Sequence, residues 1–395
     1  MSLRLLLSCG EASGDLYAGA LTRELRALEP SISVAGLGGP RLEAAGGHLL
    51  DDYRELSVTG LVEWIPKLPR LLAARRKLVD AARAQRPDAL VLIDFSGFNF
   101  RLAPAIKRLG VPVIYYISPQ IWASRPGRLA TMRAIADRVL VIFPFEAAIY
   151  EHGCVPVEFV GHPLIDLTKP SVSRDSFLAA RGLRPSAATV AMLPGSRPNE
   201  VSCILPTLVA AAGLIRQAVP DVQFVVARAP RLGDALFDPL FDSARGGQAG
   251  GPRFTVVEGD TDTVLASSDA ALTASGTATV QAALHDTPMV VVYRMTRLSF
   301  QLARRVVRVE AIGMVNLIAG EKIVPELVQD AFTAEAVARE AIDILTNPAR
   351  AARIREGLAS VRAKLGGSGA SRRAAEAILR VVRSSRQSPV VSHQS

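Results

Sequence analysis

Asp94 stands in "VLIDFSGFNF", residues 91–100, where an apolar run ends on one carboxylate before a Ser-Gly break. A carboxylate at a strand end is a candidate general acid or base, and equally a turn residue that satisfies its own backbone. Three glycine turns share this setting. "GEASGD" places Gly10, Glu11, Ser13, Gly14 and Asp15 between the first apolar run and a helical pattern. Glycine there admits close backbone approach, and the helix start that follows attracts anions or sugar hydroxyls. A plain turn N-capped by Ser13 or Asp15 is the alternative. "LPGSRPNEV", residues 193–201, sets Gly195, Ser196 and Arg197 at another helix start, suited to a phosphate unless Arg197 merely pairs with Glu200. "TASGTATVQAAL", residues 273–284, repeats the arrangement with Ser275, Gly276 and Thr277 and carries Gln281 one turn on. Two such helix starts suit a nucleoside diphosphate, whose phosphates and ribose need several contacts.

None of these turns is a dinucleotide fingerprint or a P-loop. The glycines of "GEASGD" are spaced G-x-x-x-G, "GLGGPR" has Arg41 where a third glycine belongs, and "LPGSRPNEV" lacks Lys-Ser or Lys-Thr after its glycine. "YYISPQIWASRPGR", residues 115–128, adds Trp122, Arg125 and Arg128 on a loop after a strand. Trp122 is either core or ligand-facing, while the two arginines, with no acid near them in sequence, suit an acceptor phosphate. The five histidines, His162 and His285 among them, lack the spacing of metal ligands or of a Ser-His-Asp triad.

Positioning these turns requires alternating strands and helices. Apolar runs at Leu3–Ser8, Ser33–Leu37, Ala89–Ile93, Val111–Tyr116 and Val139–Phe143 are separated by helical patterns such as Gly19–Leu28, Leu71–Gln85 and Leu102–Leu109. The alternation pauses over Lys169–Pro185 and resumes with strands predicted at Thr189–Leu193, Val222–Ala227, Phe254–Val257, Ala270–Thr273 and Met289–Val292. The fold class is therefore α/β, with two Rossmann-like doubly wound domains in a GT-B arrangement, residues 1–166 and 167–347, and ligands expected in a cleft between them. Helical patterns at Pro348–Lys364 and Arg372–Val382 are expected to pack back on the first domain, "SARGGQAGGP" at 243–252 to form a loop, and residues 384–395 to be disordered.

The 395 residues carry a net charge of +9, so an anionic partner is expected. Nucleic acid is not favoured, because the chain has no zinc spacing, RNP-type strand or long basic arm. Basic amphipathic stretches at residues 61–86 and 297–309 suit either a helix on its own core or an anionic membrane surface. No stretch reaches the roughly 20 apolar residues that span a bilayer, and the three scattered cysteines argue against a disulfide framework.

Together these motifs resemble the lipid-A-disaccharide synthase family from the first strand to about Gln329. The first half contributes "GEASGD" at Gly10, "GLGGPRL" at Gly36, "IDFSGFNF" at Ile93, "SPQIWASRPGR" at Ser118, "FPFE" at Phe143 and "FVGHPL" at Phe159. The second contributes "LPGSRPNEV" at Leu193, "ASGTATVQ" at Ala274, "PMVVVYR" at Pro288 and "NLIAGEKIVPEL" at Asn316. The resemblance implies an inverting transfer of 2,3-diacylglucosamine from UDP to 2,3-diacylglucosamine 1-phosphate, without metal or other cofactor. It implies Asp94 as the base, UDP received by Arg197, residues 275–277 and Asn316 on the second domain, and acceptor on the first. The expected place is the cytoplasmic face of the inner membrane, attached peripherally. Two positions depart from the family pattern: Ser96-Gly97 replaces a Pro-Asp pair, and Gln281 replaces a glutamate. "WAS" for Trp-Ala-Trp is a smaller departure. A non-catalytic relative that binds UDP-sugar or lipid, and a UDP-N-acetylglucosamine 2-epimerase of the same two-domain plan, are the competing readings.

Overall fold

The apolar runs become the inner strands of two parallel sheets. The computed structural model describes residues 2–56, 64–119, 127–238, 240, 252–295 and 312–387. Its first unit comprises Met1–Pro163 and Leu365–Ser395, its second Leu164–Lys364.

In the first unit the strands are β1 Arg4–Cys9, β2 Ser33–Gly38, β3 His48–Asp52, β4 Ala89–Ile93, β5 Val113–Tyr116, β6 Arg138–Val141 and β7 Val157–Phe159, ordered β3-β2-β1-β4-β5-β6-β7. In the second they are β8 Thr189–Leu193, β9 Gln223–Arg228, β10 Phe254–Glu258, β11 Ala270–Ala274, β12 Met289–Tyr293 and β13 Glu326–Val328, ordered β10-β9-β8-β11-β12-β13. Every residue of β4 and of β11 is buried, as strands covered by helices on both faces must be. Three strands had no counterpart in the predicted set: β3, β7 and β13. All three are sheet edges with half-exposed polar sequences, "HLLDD", "VEF" and "ELV", so they lack the continuous apolar run of a central strand.

Both strand orders reverse direction once, between β1 and β4 and between β8 and β11. At such a switch point the two following helices leave on opposite faces and open a crevice at the carboxyl ends of the strands. Cys9 pairs with Ile93, and Leu193 with Thr273. "GEASGD" and Asp94 therefore leave adjacent strand ends in one unit, and "PGSR" and "SGT" do so in the other.

Helices begin earlier than their apolar patterns suggest. Ala12–Leu28 starts inside "GEASGD", and Ser96–Lys107 takes in Ser96 and Gly97 as its first turn, so the Ser-Gly pair is no break. The Lys169–Pro185 stretch holds a short helix, Arg174–Ala179, tied to the second unit by the Arg174–Asp269 ion pair at 2.9 Å.

The two C-terminal helices part company, against the expectation that both pack on the first domain. Pro348–Lys364 belongs to the second unit, where Arg362 Nη1 pairs with Asp286 at 2.8 Å. Ala370–Gln387 returns to the first unit, where it packs on Ala12–Leu28 and Arg373 Nε donates to Val160 O at 2.8 Å. That helix continues to Gln387, past the expected onset of disorder at 384, and residues 388–395 lie outside the described residues. Most of the predicted loop, residues 243–251, does so too. One helix, Pro198–Ala218, is long and apolar enough to cross a membrane by length and composition, against the sequence expectation of none. Ile204, Leu208, Ala211 and Ile215 form its buried stripe, so its apolar character is that of a core helix.

His162 lies buried in the first unit, its ring 5.3 Å from Phe143 and 6.2 Å from Tyr17, and its backbone N–H donates to Leu365 O at 2.9 Å. Burial pushes the imidazole down from 6.5 to about 3. Between those values the unfolded chain carries a proton that the folded chain lacks, so stability falls as pH is lowered through this window, by up to about 1.4 kcal/mol per pH unit. Replacing His162 with Asn is expected to flatten the dependence of the unfolding midpoint on pH between 6.5 and 4. An unchanged slope in denaturant titrations would show that His162 does not contribute it.

Candidate active site

In the first unit Asp94 follows β4 in the left-handed region, φ 46°, and so does Phe95, φ 46°. Two successive non-glycine residues there cost roughly 1–2 kcal/mol each and must be held by their surroundings. The Asp94 N–H donates to Ile117 O at 3.1 Å. Its carbonyl accepts from Asn99 Nδ2 at 2.7 Å and from Tyr115 Oη at 2.8 Å. Asn99 is buried, and its Oδ1 accepts from Ser8 Oγ on β1 at 2.7 Å. Burial, then the Asp94 charge, pushes the Tyr115 phenol well up, so it remains a donor. Burial, then Tyr116 and Asp94, does the same to Tyr17, placing these tyrosines within electrostatic reach of the Asp94 carboxylate. Arg128 lies 5.4 Å over the Phe100 ring and acts on Tyr115 as well. Trp122 and Arg125 lie outside the described residues.

Within the first unit the "GEASGD" residues make packing and capping contacts. A side chain on Gly10 would strike the Phe95 ring at 2.0 Å, so this glycine admits Phe95. On Gly14 it would press on Cys9 at 3.2 Å, so Gly14 serves close helix–strand packing. Asp15 is 1% exposed and caps a remote helix, Pro40–Ala44, instead of its own. Its Oδ1 accepts from Gly39 N–H at 2.8 Å and Leu42 N–H at 3.1 Å, its Oδ2 from Arg41 N–H at 2.9 Å. Glu11 is the N-cap of Ala12–Leu28, and Ser13 is half-buried in its first turn.

In the second unit Gly195 turns the chain after β8 with φ 124°, which a side chain rarely adopts. Arg197 is the N-cap of Pro198–Ala218. Glu200 already supplies a negative charge at this helix start: its Oε2 accepts from Ser196 N–H at 3.1 Å and Arg197 N–H at 3.3 Å, and its Oε1 faces Arg197 Nη1 at 3.4 Å. Tyr293, at the end of β12, is raised by burial and then by Glu200, with Arg197 opposing. After β11, Ser275 Oγ donates to Ile312 O at 2.8 Å, Gly276 is the N-cap of Thr277–Leu284, and Thr277 is exposed at that start. Gln281 Nε2 donates to Asp262 Oδ1 at 3.0 Å, which His285 Nε2 also meets at 3.1 Å.

Asn316, expected to line the site, is committed to its own loop. Its Nδ2 donates to Glu326 Oε1 at 2.6 Å and to Val324 O at 3.0 Å, and its Oδ1 accepts from Ile323 and Val324 N–H at 2.9 and 3.0 Å. Glu326 in turn accepts from Ile312 and Gly313 N–H. Among the described residues no group of three or more His, Cys, Asp or Glu side chains is placed to hold a metal ion. Sequence reasoning missed Asn99, Tyr115 and Ser8. The available signal was polar residues at positions that helix and strand periodicity assign to the interior.

Two parallel sheets in these strand orders, with glycine turns at both switch points, define an α/β protein of two Rossmann-like domains. Solved structures agree on the fold. A UDP-GlcNAc 2-epimerase from Neisseria meningitidis bound to UDP-GlcNAc has a TM-score of 0.64 at 13% identity, over 96% of this chain and 100% of that one. The calicheamicin glycosyltransferase has 0.60 at 16%, over 97% and 98%. Sequence goes further. The model of the family described as lipid-A-disaccharide synthetase matches residues 5–381, and the chain belongs to that family. The lipid-A-disaccharide synthase of Geobacter sulfurreducens is 41% identical over 96% of this chain and 98% of its own length, and that of Anaeromyxobacter sp. strain K is 43% identical over the same shares. The chain is accordingly a glycosyltransferase of lipid A synthesis.

Asp15→Ala would leave three N–H groups without their acceptor, at a cost of about 3 kcal/mol or more. Urea unfolding is expected to show that loss. Unchanged stability combined with weakened acceptor binding would instead return Asp15 to a ligand-facing role.

Proposed function

We propose that the chain transfers 2,3-diacylglucosamine from UDP to the 6-hydroxyl of 2,3-diacylglucosamine 1-phosphate, forming a β-1,6-linked disaccharide and UDP. The observation that carries the reading is the family match over residues 5–381 together with Asp94 retained at the end of β4. Asp94 accepts the proton of the attacking hydroxyl while the new oxygen–carbon bond forms at the anomeric carbon and the bond to UDP breaks on the opposite face. Gly10, Glu11, Ser13 and Arg128, with Trp122 and Arg125, belong to the acceptor side of this reading. Gly195, Ser196, Arg197, Ser275, Gly276, Thr277 and Gln281 belong to the UDP side, where cationic and N–H donors offset the charge that develops on the diphosphate. Glu200 orders that loop, and Asn316 orders the loop that Ser275 Oγ contacts. The reading requires no cofactor.

Purified protein given the two substrates in detergent is expected to release UDP, with Asp94→Ala slower by about 10²–10⁴-fold. No UDP release under conditions where a known synthase turns over would sink the assignment.

We further place the chain at an anionic membrane surface on the cytoplasmic side. Leu71, Ala74, Leu78 and Ala82 form the buried stripe of helix Trp64–Gln85, while Leu68 and Leu72 are 44% and 47% exposed beside exposed Arg76 and Lys77. Such a face suits a bilayer interface. The second basic stretch, residues 297–309, lies outside the described residues. Co-sedimentation with phosphatidylglycerol vesicles is expected to fall roughly tenfold or more for Leu68→Glu/Leu72→Glu. Undiminished binding would remove this helix from the membrane contact.

A further inference from the structure

Asp94 is gripped through its backbone. Its N–H is bound from the loop after β5, and both acceptor positions of its carbonyl are filled, one from the helix that follows and one from β5. Phe95 is fixed by stacking on Phe98 at 5.3 Å, in space that Gly10 leaves open. Asn99 cannot turn its amide over without loss, because Ser8 Oγ donates to its Oδ1. The cost of two left-handed residues is thus met by buried donors from three elements, and what it fixes is the direction in which the Asp94 side chain leaves the strand end.

We propose that Asn99 and Tyr115 are positioning residues for the transfer, holding Asp94 in the left-handed conformation from which its carboxylate meets the acceptor hydroxyl. The proposal rests on Asp94 as the base. Both residues act on the carbonyl of Asp94. Losing one donor lets the carbonyl turn and the carboxylate drift, and misplacement of a proton acceptor is read in turnover more than in substrate affinity.

Tyr115→Phe removes a single oxygen from a buried ring, and Asn99→Ser removes the amide while leaving a small polar group. Each is expected to lower kcat about 10–100-fold with KM within about twofold of wild type. Placed on Asp94→Ala, either change is expected to alter the residual rate less than about twofold, because there is no carboxylate left to position. Thermal midpoints are recorded in parallel. A folded Tyr115→Phe and a folded Asn99→Ser that both keep wild-type kcat would overturn the proposal while leaving Asp94 as base. So would an equal loss of kcat with and without Asp94, which marks a general structural role. Wild-type kcat in Asp94→Ala would overturn the base reading and the positioning with it.

Discussion

The left-handed pair Asp94–Phe95 is the constraint around which the first unit is arranged. It forces the chain to turn at once from a fully buried strand into a helix, and it puts the Phe95 ring where the first turn after β1 must pass. Gly10 follows from that ring, Ser8 from the need to orient Asn99, and Tyr115 from the need to fill the second acceptor position of the Asp94 carbonyl. Residues that sequence reasoning treats separately, a glycine in one motif and an asparagine in another, are therefore parts of one turn.

The second unit solves a similar problem with carboxylates. Glu200 holds the N–H groups at the start of Pro198–Ala218, and Glu326 holds those ahead of Met314–Ala319. Asp15 does the same for Pro40–Ala44 in the first unit. Each supplies a negative charge where the helix dipole favours one, which stiffens a loop that would otherwise depend on solvent. On the proposed reading, a diphosphate arriving at Arg197 competes with Glu200 for the guanidinium, so part of its binding energy goes into exchanging one anion for another.

Central strands were legible because burial on both faces leaves a run such as "ALVLI" no polar position. Three of the four edge strands, β3, β7 and β13, and the exact first turns of helices were not, since each is half-solvated and its polar residues look like loop. At the site, the positions of Asp94, Arg197 and Ser275 followed from strand–turn–helix order alone. The partners did not. Asp15 reaches N–H groups 24 to 27 residues away, and Ser8 reaches Asn99 across 91 residues. Spacing along a chain identifies a carboxylate near a helix start but says nothing of which helix it will cap.

The two departures from the family pattern now have different physical standing. A glutamate at 281 would face the Asp262 carboxylate at the 3.0 Å that the amide spans as a hydrogen bond, and two like charges at that distance cannot both stay ionised without cost. Glutamine turns that repulsion into a bond, so Gln281 is matched to Asp262 instead of being a loss on its own. Gly97 has no such partner. It occupies the first turn of Ser96–Lys107, which contains no acid, and its carbonyl accepts from Arg101 Nη1 at 2.7 Å. The positive end of that helix therefore acts on Asp94 without a second carboxylate on the same turn. On the proposed reading, the fixed geometry of the Asp94 backbone is the means by which a one-acid strand end keeps its charge in place.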